Sequence, residues 1–220
     1  MTKTGKQNVK AKILSAAEAL FAHRGFDATG IDAIAKKAGI TKSLIYYYFK
    51  SKDDILSELF DNFGKKSVEA KHSITDIWRQ NPELTIEDII RQYSLPFMMQ
   101  FKNIIKIAFT ESLKDAPENP HVNIFRYFEQ NFQAGYQIAE RHGVRYEDKP
   151  ATSLAGFFLI FAPLFSFTIF SDEWCEHYRM DMETTTEIFI KAFAKMYRTM
   201  LSQSTGKESL GEILQTDPTG

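Results

Sequence analysis

Residues 29–52 read TGIDAIAKKAGITKSLIYYYFKSK, and the spacing within this stretch decides the fold. Ile31, Ile34, Ala35 and Ala38 recur at helical intervals and form one buried stripe on a short helix. Thr29 with Asp32 has the form of a capping box at its start. Gly39 ends the helix and permits a left-handed turn residue. Thr41 then caps a second helix, Lys42 to Phe49. On a 100° wheel Lys42, Ser43, Tyr46 and Tyr47 cover one arc, while Leu44, Ile45 and Tyr48 fall on the other. Two short helices joined by a tight turn, the second presenting a polar-aromatic face, make a helix-turn-helix. That arrangement seats a helix in the major groove of DNA.

Working outward, the spacing predicts a preceding helix from about Val9 to Arg24, stopped by Gly25, with residues 1–8 basic and disordered. Ser51 and Asp54 make an S-x-x-D start, and Lys52 opens a long helix reaching about His72. Thr85 caps a helix carrying Ile86, Ile89, Ile90 and Tyr93, which Pro96 kinks or ends. Ile104, Ile105, Ala108 and Phe109 give another helical face. A loop at 116–120 leads into a helix over 121–141 with Phe125, Phe128, Phe132, Tyr136 and Ala139 along one side. Two further helices are expected at about 151–171 and 183–202. No segment alternates with period two for long enough to suggest a sheet. The chain therefore reads as all-α: a three-helix helix-turn-helix domain over 1–52, a helical body over 53–202, and a polar tail over 203–220 with one weak helical turn near 210–214.

Charge is segregated along the chain. Residues 1–52 carry 10 Lys and Arg against 3 Asp and Glu, and the remainder carries 17 against 25. A basic head on an acidic body points the head, and not the body, toward a polyanion. The residues supply matching chemistry. Tyrosine hydroxyls donate to phosphate and their rings press on thymine methyls, and Lys42 near a helix start can donate to guanine O6 or N7. Helix N-termini near Thr29, Thr41 and Ser51 favour phosphate, and Lys52 adds a full charge.

The segment GFDATGIDAIAKKAGITKSLIYYYFKSKDDIL, residues 25–56, resembles the N-terminal domain of TetR-family transcriptional regulators. Gly25-Phe26, Thr29, Ile34-Ala35, Ala38-Gly39-Ile40, Thr41, Tyr46, Tyr48-Phe49, Lys52 and Ile55-Leu56 carry the resemblance, which covers about residues 10–60. Tyr48 stands where the family often has histidine. The resemblance implies an all-helical homodimer on a palindromic operator. It implies a repressor whose body binds a small molecule that moves the fourth helix and spreads the two heads. It would make Lys42, Ser43 and Tyr47 base readers, and Thr29, Thr41, Tyr46, Tyr48 and Lys52 backbone holders. The last two long helices would form the dimer's four-helix interface.

Phe is abundant in the body, with 14 of 19 from Phe97 onward. Tyr93, Phe97, Phe101, Phe109, Phe128, Phe132 and Phe158 are candidates to line a cavity for an apolar or aromatic effector, the alternative being ordinary core. Phe189, Phe193, Met196, Tyr197 and Met200 form a stripe. With Phe165 and Ile169 of the uncharged stretch 154–170, they are candidates for a dimer seam, or for packing within one subunit. That 17-residue stretch sits at the short edge of the spanning range, but Pro163, Ser166 and Thr168 interrupt it, and no membrane partner is expected.

Cys175 is the single cysteine, which fits a reducing cytoplasm, and the N-terminus has no apolar run of a signal peptide. Cys175 and His177 lack a second ligand pair, so no metal or cofactor is expected. No phosphate loop, nucleophile elbow or zinc-helix motif suggests an enzyme. A DNA-coating protein without an effector is the first alternative, and an apolar-ligand-handling protein or enzyme the distant one.

Overall fold

Gly25 and Gly39 punctuate the N-terminal third, with φ of 84° and 67°, a region that side chains with a Cβ rarely enter. The structure is a computed structural model describing residues 3–114, 124–141, 146 and 148–205, and every element among them is helical. The expected loop at 116–120, the first turn at 121–123 and the weak turn near 210–214 lie outside the described residues. α1 (Lys3–Arg24) closes on Gly25, whose N–H donates to the Phe21 carbonyl at 3.0 Å. It begins well before Val9, so residues 3–8 extend its ladder and are not the loose arm that their polarity suggests.

α2 (Ile31–Ala38) departs from the predicted capping box. Gly30 is the N-cap and offers no side chain, because Thr29 stands one residue too early. The Thr29 hydroxyl instead donates back to the Gly25 carbonyl at 2.8 Å. α3 (Lys42–Tyr48) is capped as expected, Thr41 Oγ1 accepting from the Leu44 N–H at 3.3 Å, and Phe49 is already extended. α4 (Lys52–Gln80) starts where Ser51 Oγ accepts from the Asp54 N–H, while the Asp54 carboxylate accepts from the Lys50 N–H. It runs past the predicted end at His72 to Gln80.

The chain divides into two compact units. The first takes residues up to Lys65 together with the stretch from Asn103 to Tyr127, and the second takes Lys66–Lys102 and everything from Phe128 onward. A boundary at 52/53 therefore cuts too early: the first half of α4 packs with the head, as does α7 (Lys102–Ser112) from Asn103 on. In this unit Ile13, Ala17, Ile34, Ile45, Ile55 and Leu56 have no exposed surface. Burying each such aliphatic side chain contributes about 1.5–3 kcal/mol, with alanine contributing less. Lys10 pairs with Glu58 at 2.7 Å and ties α1 to α4.

The second unit is built from the second half of α4, α5 (Ile86–Ile89), α6 (Leu95–Gln100), most of α8 (Ile124–Arg141), α9 (Lys149–Ala155), α10 (Ala162–Tyr178) and α11 (Met182–Thr205). Thr85 and Asp88 form a complete capping box at α5. Pro96 neither ends nor breaks the helix that follows. A π-helical turn, Ile90–Ser94, precedes it, and the Leu95 N–H reaches five residues back to the Ile90 carbonyl. The same device recurs before Pro163, where Gly156–Phe161 is a π turn and the Ala162 N–H reaches Phe157. A proline has no N–H, and its ring crowds the carbonyl four residues back; widening the preceding turn by one residue accommodates both defects.

Two bidentate ion pairs, Arg91 with Glu187 and Arg198 with Glu87, fasten the α5 region to α11. Phe167 stacks on Phe189 at 4.1 Å between α10 and α11. Gly156 allows the closest approach: a Cβ there would lie 2.6 Å from Cε1 of Phe132. Gly156→Ala should therefore destabilise the fold by about 1–3 kcal/mol, read as a lower denaturation midpoint. Phe132→Leu in the same chain should recover part of that loss.

Candidate DNA-reading helix and a cavity in the second unit

The amphipathic reading of α3 holds residue by residue. Thr41, Lys42, Ser43, Tyr46 and Tyr47 are exposed, Leu44 is half-buried, and Ile45 and Phe49 are buried. Tyr47 is 63% exposed, a large apolar area to leave in water. Its ring meets Tyr48 edge-on at 5.1 Å, which fixes its direction. Lys42 Nζ rests 3.0 Å from Asp32 Oδ2, and this hydrogen bond holds its pKa above the ordinary lysine value. Both partners are well exposed, so water screens the pair and a base edge or phosphate can replace the carboxylate.

Three residues predicted to hold DNA sit elsewhere. Thr29 is buried, its hydroxyl on Gly25 and its N–H on the Phe26 carbonyl, so neither reaches solvent. Lys52 Nζ donates to the Phe26 carbonyl at 2.7 Å and lies 4.1 Å from the centre of the Phe26 ring. It locks the turn between α1 and α2, with Lys114 bridging Asp27 and Glu111 nearby in sequence-distant support. The Tyr48 hydroxyl is buried and has no hydrogen-bond partner among the described residues. What remains outward is a narrower surface: Thr41, Lys42, Ser43, Tyr46 and Tyr47, with the uncapped N–H groups at the start of α2.

The second unit contains a cavity of about 350 Å³. Lys71, Ile74, Thr75 and Trp78 of α4 line one wall, both π turns contribute through Ile90, Ser94, Ile160 and Phe161, and Phe193, Tyr197 and Met200 of α11 close another. Of the aromatic candidates, Phe97 and Phe132 are among its lining residues. The other aromatic candidates are not. Tyr93 packs against the core cluster, Phe101 pairs with Phe97, Phe128 is core, Phe109 belongs to the first unit, and Phe158 is 58% exposed. A helical wheel assigns faces but not which neighbour each face meets.

The same ambiguity displaced the dimer residues. Phe165 and Phe193 are buried within their own unit, Phe189 and Met196 pack against its core, and Tyr197 and Met200 line the cavity; Ile169 is half-buried. Among the described residues, the outward large apolar residues from α9 to α11 are Leu154, Phe158, Leu159, Phe170, Trp174, Tyr178, Met182 and Ile188. The helical run Lys149–Tyr178 is long and apolar enough to cross a membrane by length and composition, and only 17% of its most apolar window is buried.

Sequence reasoning missed Lys71. Its Nζ donates to the Asn131 carbonyl at 2.6 Å, and burial lowers its pKa to about 8. Burial likewise raises Tyr146 and Tyr197. A signal was present: Ser67, Lys71, Ile74 and Trp78 follow i, i+4, i+7, i+11 spacing, which puts the lysine on the inward stripe.

Residues 13–59 match the family of bacterial regulatory proteins of the tetR type. Over 72 residues the chain is 38% identical to the HTH-type transcriptional regulator AcrR of Shigella flexneri, a match covering 31% of this chain and 34% of AcrR. The match thus spans about a third of that protein's length. A TetR family transcription regulator from Marinobacter aquaeolei superposes with a TM-score of 0.63 at 14% identity, covering 89% of this chain and 98% of that one. FadR from Bacillus subtilis, solved in complex with stearoyl-CoA, gives 0.58 at 18% identity, covering 84% and 97%. At these identities the two structures are similar in fold alone.

Tyr48 separates the two assignments of the head. Tyr48→Phe should leave DNA affinity unchanged and hold or raise the unfolding midpoint, since a buried unbonded hydroxyl costs roughly 1–3 kcal/mol. A drop in affinity in gel-shift titrations would return Tyr48 to the phosphate-contacting set.

Proposed function

The chain carries a tetR-family DNA-binding domain at residues 13–59, and from that premise we propose a homodimeric, ligand-released repressor that reads a palindromic operator in the cytoplasm. The observation that carries the reading is the outward face of α3, where Lys42, Ser43, Tyr46 and Tyr47 stand exposed beside a fully buried Ile45. Lys42 and Tyr47 meet base edges, and Tyr46 and Thr41 hold phosphates. Lys52 and Thr29 act on the fold, setting the turn that positions α2.

Release by a ligand is supported by α4. Ile55, Leu56, Leu59 and Phe63 of this helix are buried in the first unit, while Lys71, Ile74 and Trp78 line the cavity of the second. A ligand that favours a different placement of the cavity wall acts on an element that the reading head shares. A largely apolar effector suits the lining.

Dimerisation is supported by the outward stripe of α10. Phe170, Trp174 and Tyr178 follow i, i+4, i+8 spacing, and the rings of Trp174 and Tyr178 lie 4.3 Å apart. Asp172, Glu173 and Glu176 are exposed between them. An apolar stripe edged by carboxylates suits a second helix pair, whereas lipid would require an apolar surface all round.

Selection from a random DNA pool at near-physiological salt tests the function. The expected product is a palindrome with half-sites roughly 34–36 Å apart or a multiple of that spacing. Lys42→Ala and Tyr47→Ala should each cut discrimination at one half-site position by at least about tenfold. Binding without enrichment would instead support the DNA-coating reading. Light scattering tests the dimer: Phe170→Glu with Trp174→Glu should halve the mass in solution, while a variant that keeps the parent mass refutes the α10 seam.

A further inference from the structure

Among the described residues, Lys71 is the one cation that lines the cavity. Its surroundings are mostly apolar, with Ile74, Trp78, Phe132 and Phe161 in the lining; the titratable groups that share it, Tyr136, Tyr146 and Tyr197, are phenols, the last two with pKa raised by burial. Among the described residues no carboxylate lies within ion-pairing distance of its Nζ, although the chain pairs ten other cation–carboxylate couples. An ammonium has three N–H donors, and one protein acceptor, the Asn131 carbonyl, is bonded to it. That carbonyl belongs to α8, where a Cβ on Gly135 would come within 3.3 Å of Nζ, so glycine leaves room for the ammonium beside the helix backbone. The Phe161 ring lies 5.8 Å away and adds a weaker attraction.

Holding a charge in such a place is unfavourable unless something compensates it. Deleting the charge would be the simpler way to build a stable core. We infer that the cavity takes an apolar organic acid, an aliphatic or aromatic body bearing a single carboxylate, with the carboxylate on Lys71 Nζ. This inference rests on the ligand-released reading given above and names its ligand class. One cation neutralises one negative charge, so a monoanion fits and a phosphate dianion or a nucleotide is left uncompensated. The volume, near the lower end of the roughly 300–1,000 Å³ typical of small-molecule sites, suits a compact acid.

The lowered pKa sets the pH dependence. Burial lowers the Lys71 pKa to about 8, and a carboxylate beside the ammonium raises it. Binding therefore takes up a proton above pH 8. Affinity is full between the acid's own pKa and about pH 8, and falls about tenfold per pH unit above that until the pKa of the complex is reached.

The test uses the full chain and calorimetric titration with straight-chain acids from hexanoate to dodecanoate, each beside the alcohol of equal length. At pH 6.5 the best-fitting acid should bind at least tenfold more tightly than its alcohol. That preference should shrink by about tenfold per unit between pH 8 and pH 9.5. Lys71→Met should remove both the preference and its pH dependence while still binding the alcohol, and Lys71→Arg should retain the preference. Thermal unfolding of both variants checks that they fold. Equal binding of acid and alcohol by the parent protein, or unchanged acid affinity in Lys71→Met, overturns the inference. So does binding of alcohols with no acid bound. Operator release is measured with the same compounds: release by alcohols alone preserves the ligand-released reading while sinking the acid. Acid binding at Lys71 that leaves the operator complex intact preserves the acid site and removes the regulatory reading.

Discussion

One uninterrupted backbone ladder, that of α4, serves two cores. Its first half places Ile55, Leu56, Leu59 and Phe63 in the interior of the head, and its second half places Ser67, Lys71, Ile74 and Trp78 along the cavity. Successive residues of a helix are rotated by about 100°, so the inward residues of each half follow from the local spacing of that half.

Two absent N–H groups shape the rest of the cavity. Pro96 and Pro163 lie in otherwise regular helices, and each is preceded by a π turn whose closing bond reaches five residues back. Each wide turn sends side chains into the same space, Ile90 and Ser94 from one and Ile160 and Phe161 from the other. Gly156 opens the second turn against Phe132. The ion pairs Arg91–Glu187 and Arg198–Glu87 then hold the α11 wall against the α5 region from the solvent side. Individually such exposed pairs contribute little, but their bidentate geometry restricts the angle between the two elements.

In the head, two residues that the sequence offered for DNA are engaged in the fold. Lys52 covers Phe26 and bonds its carbonyl, and Thr29 closes the turn after α1. The outward set is smaller and sits almost entirely on α3.

The sequence by itself determined what is local. The wheel of α3, the glycine stops at 25 and 39, the Thr41 and Thr85 caps and the start of α4 at Ser51 are set by spacing and by hydrogen bonds within three or four residues, and each is where the pattern puts it. Only the tertiary structure decided which apolar face of the C-terminal helices turns inward. Phe158 moves from the cavity to the surface, and Tyr197 and Met200 move from the dimer seam to the cavity, because a helix apolar on several sides satisfies the same periodicity in either orientation. Lys71 is the sharpest case. Its spacing from Ser67, Ile74 and Trp78 is local, but that no carboxylate stands beside it among the described residues is a property of residues brought together from α4, α8 and the turn before α10.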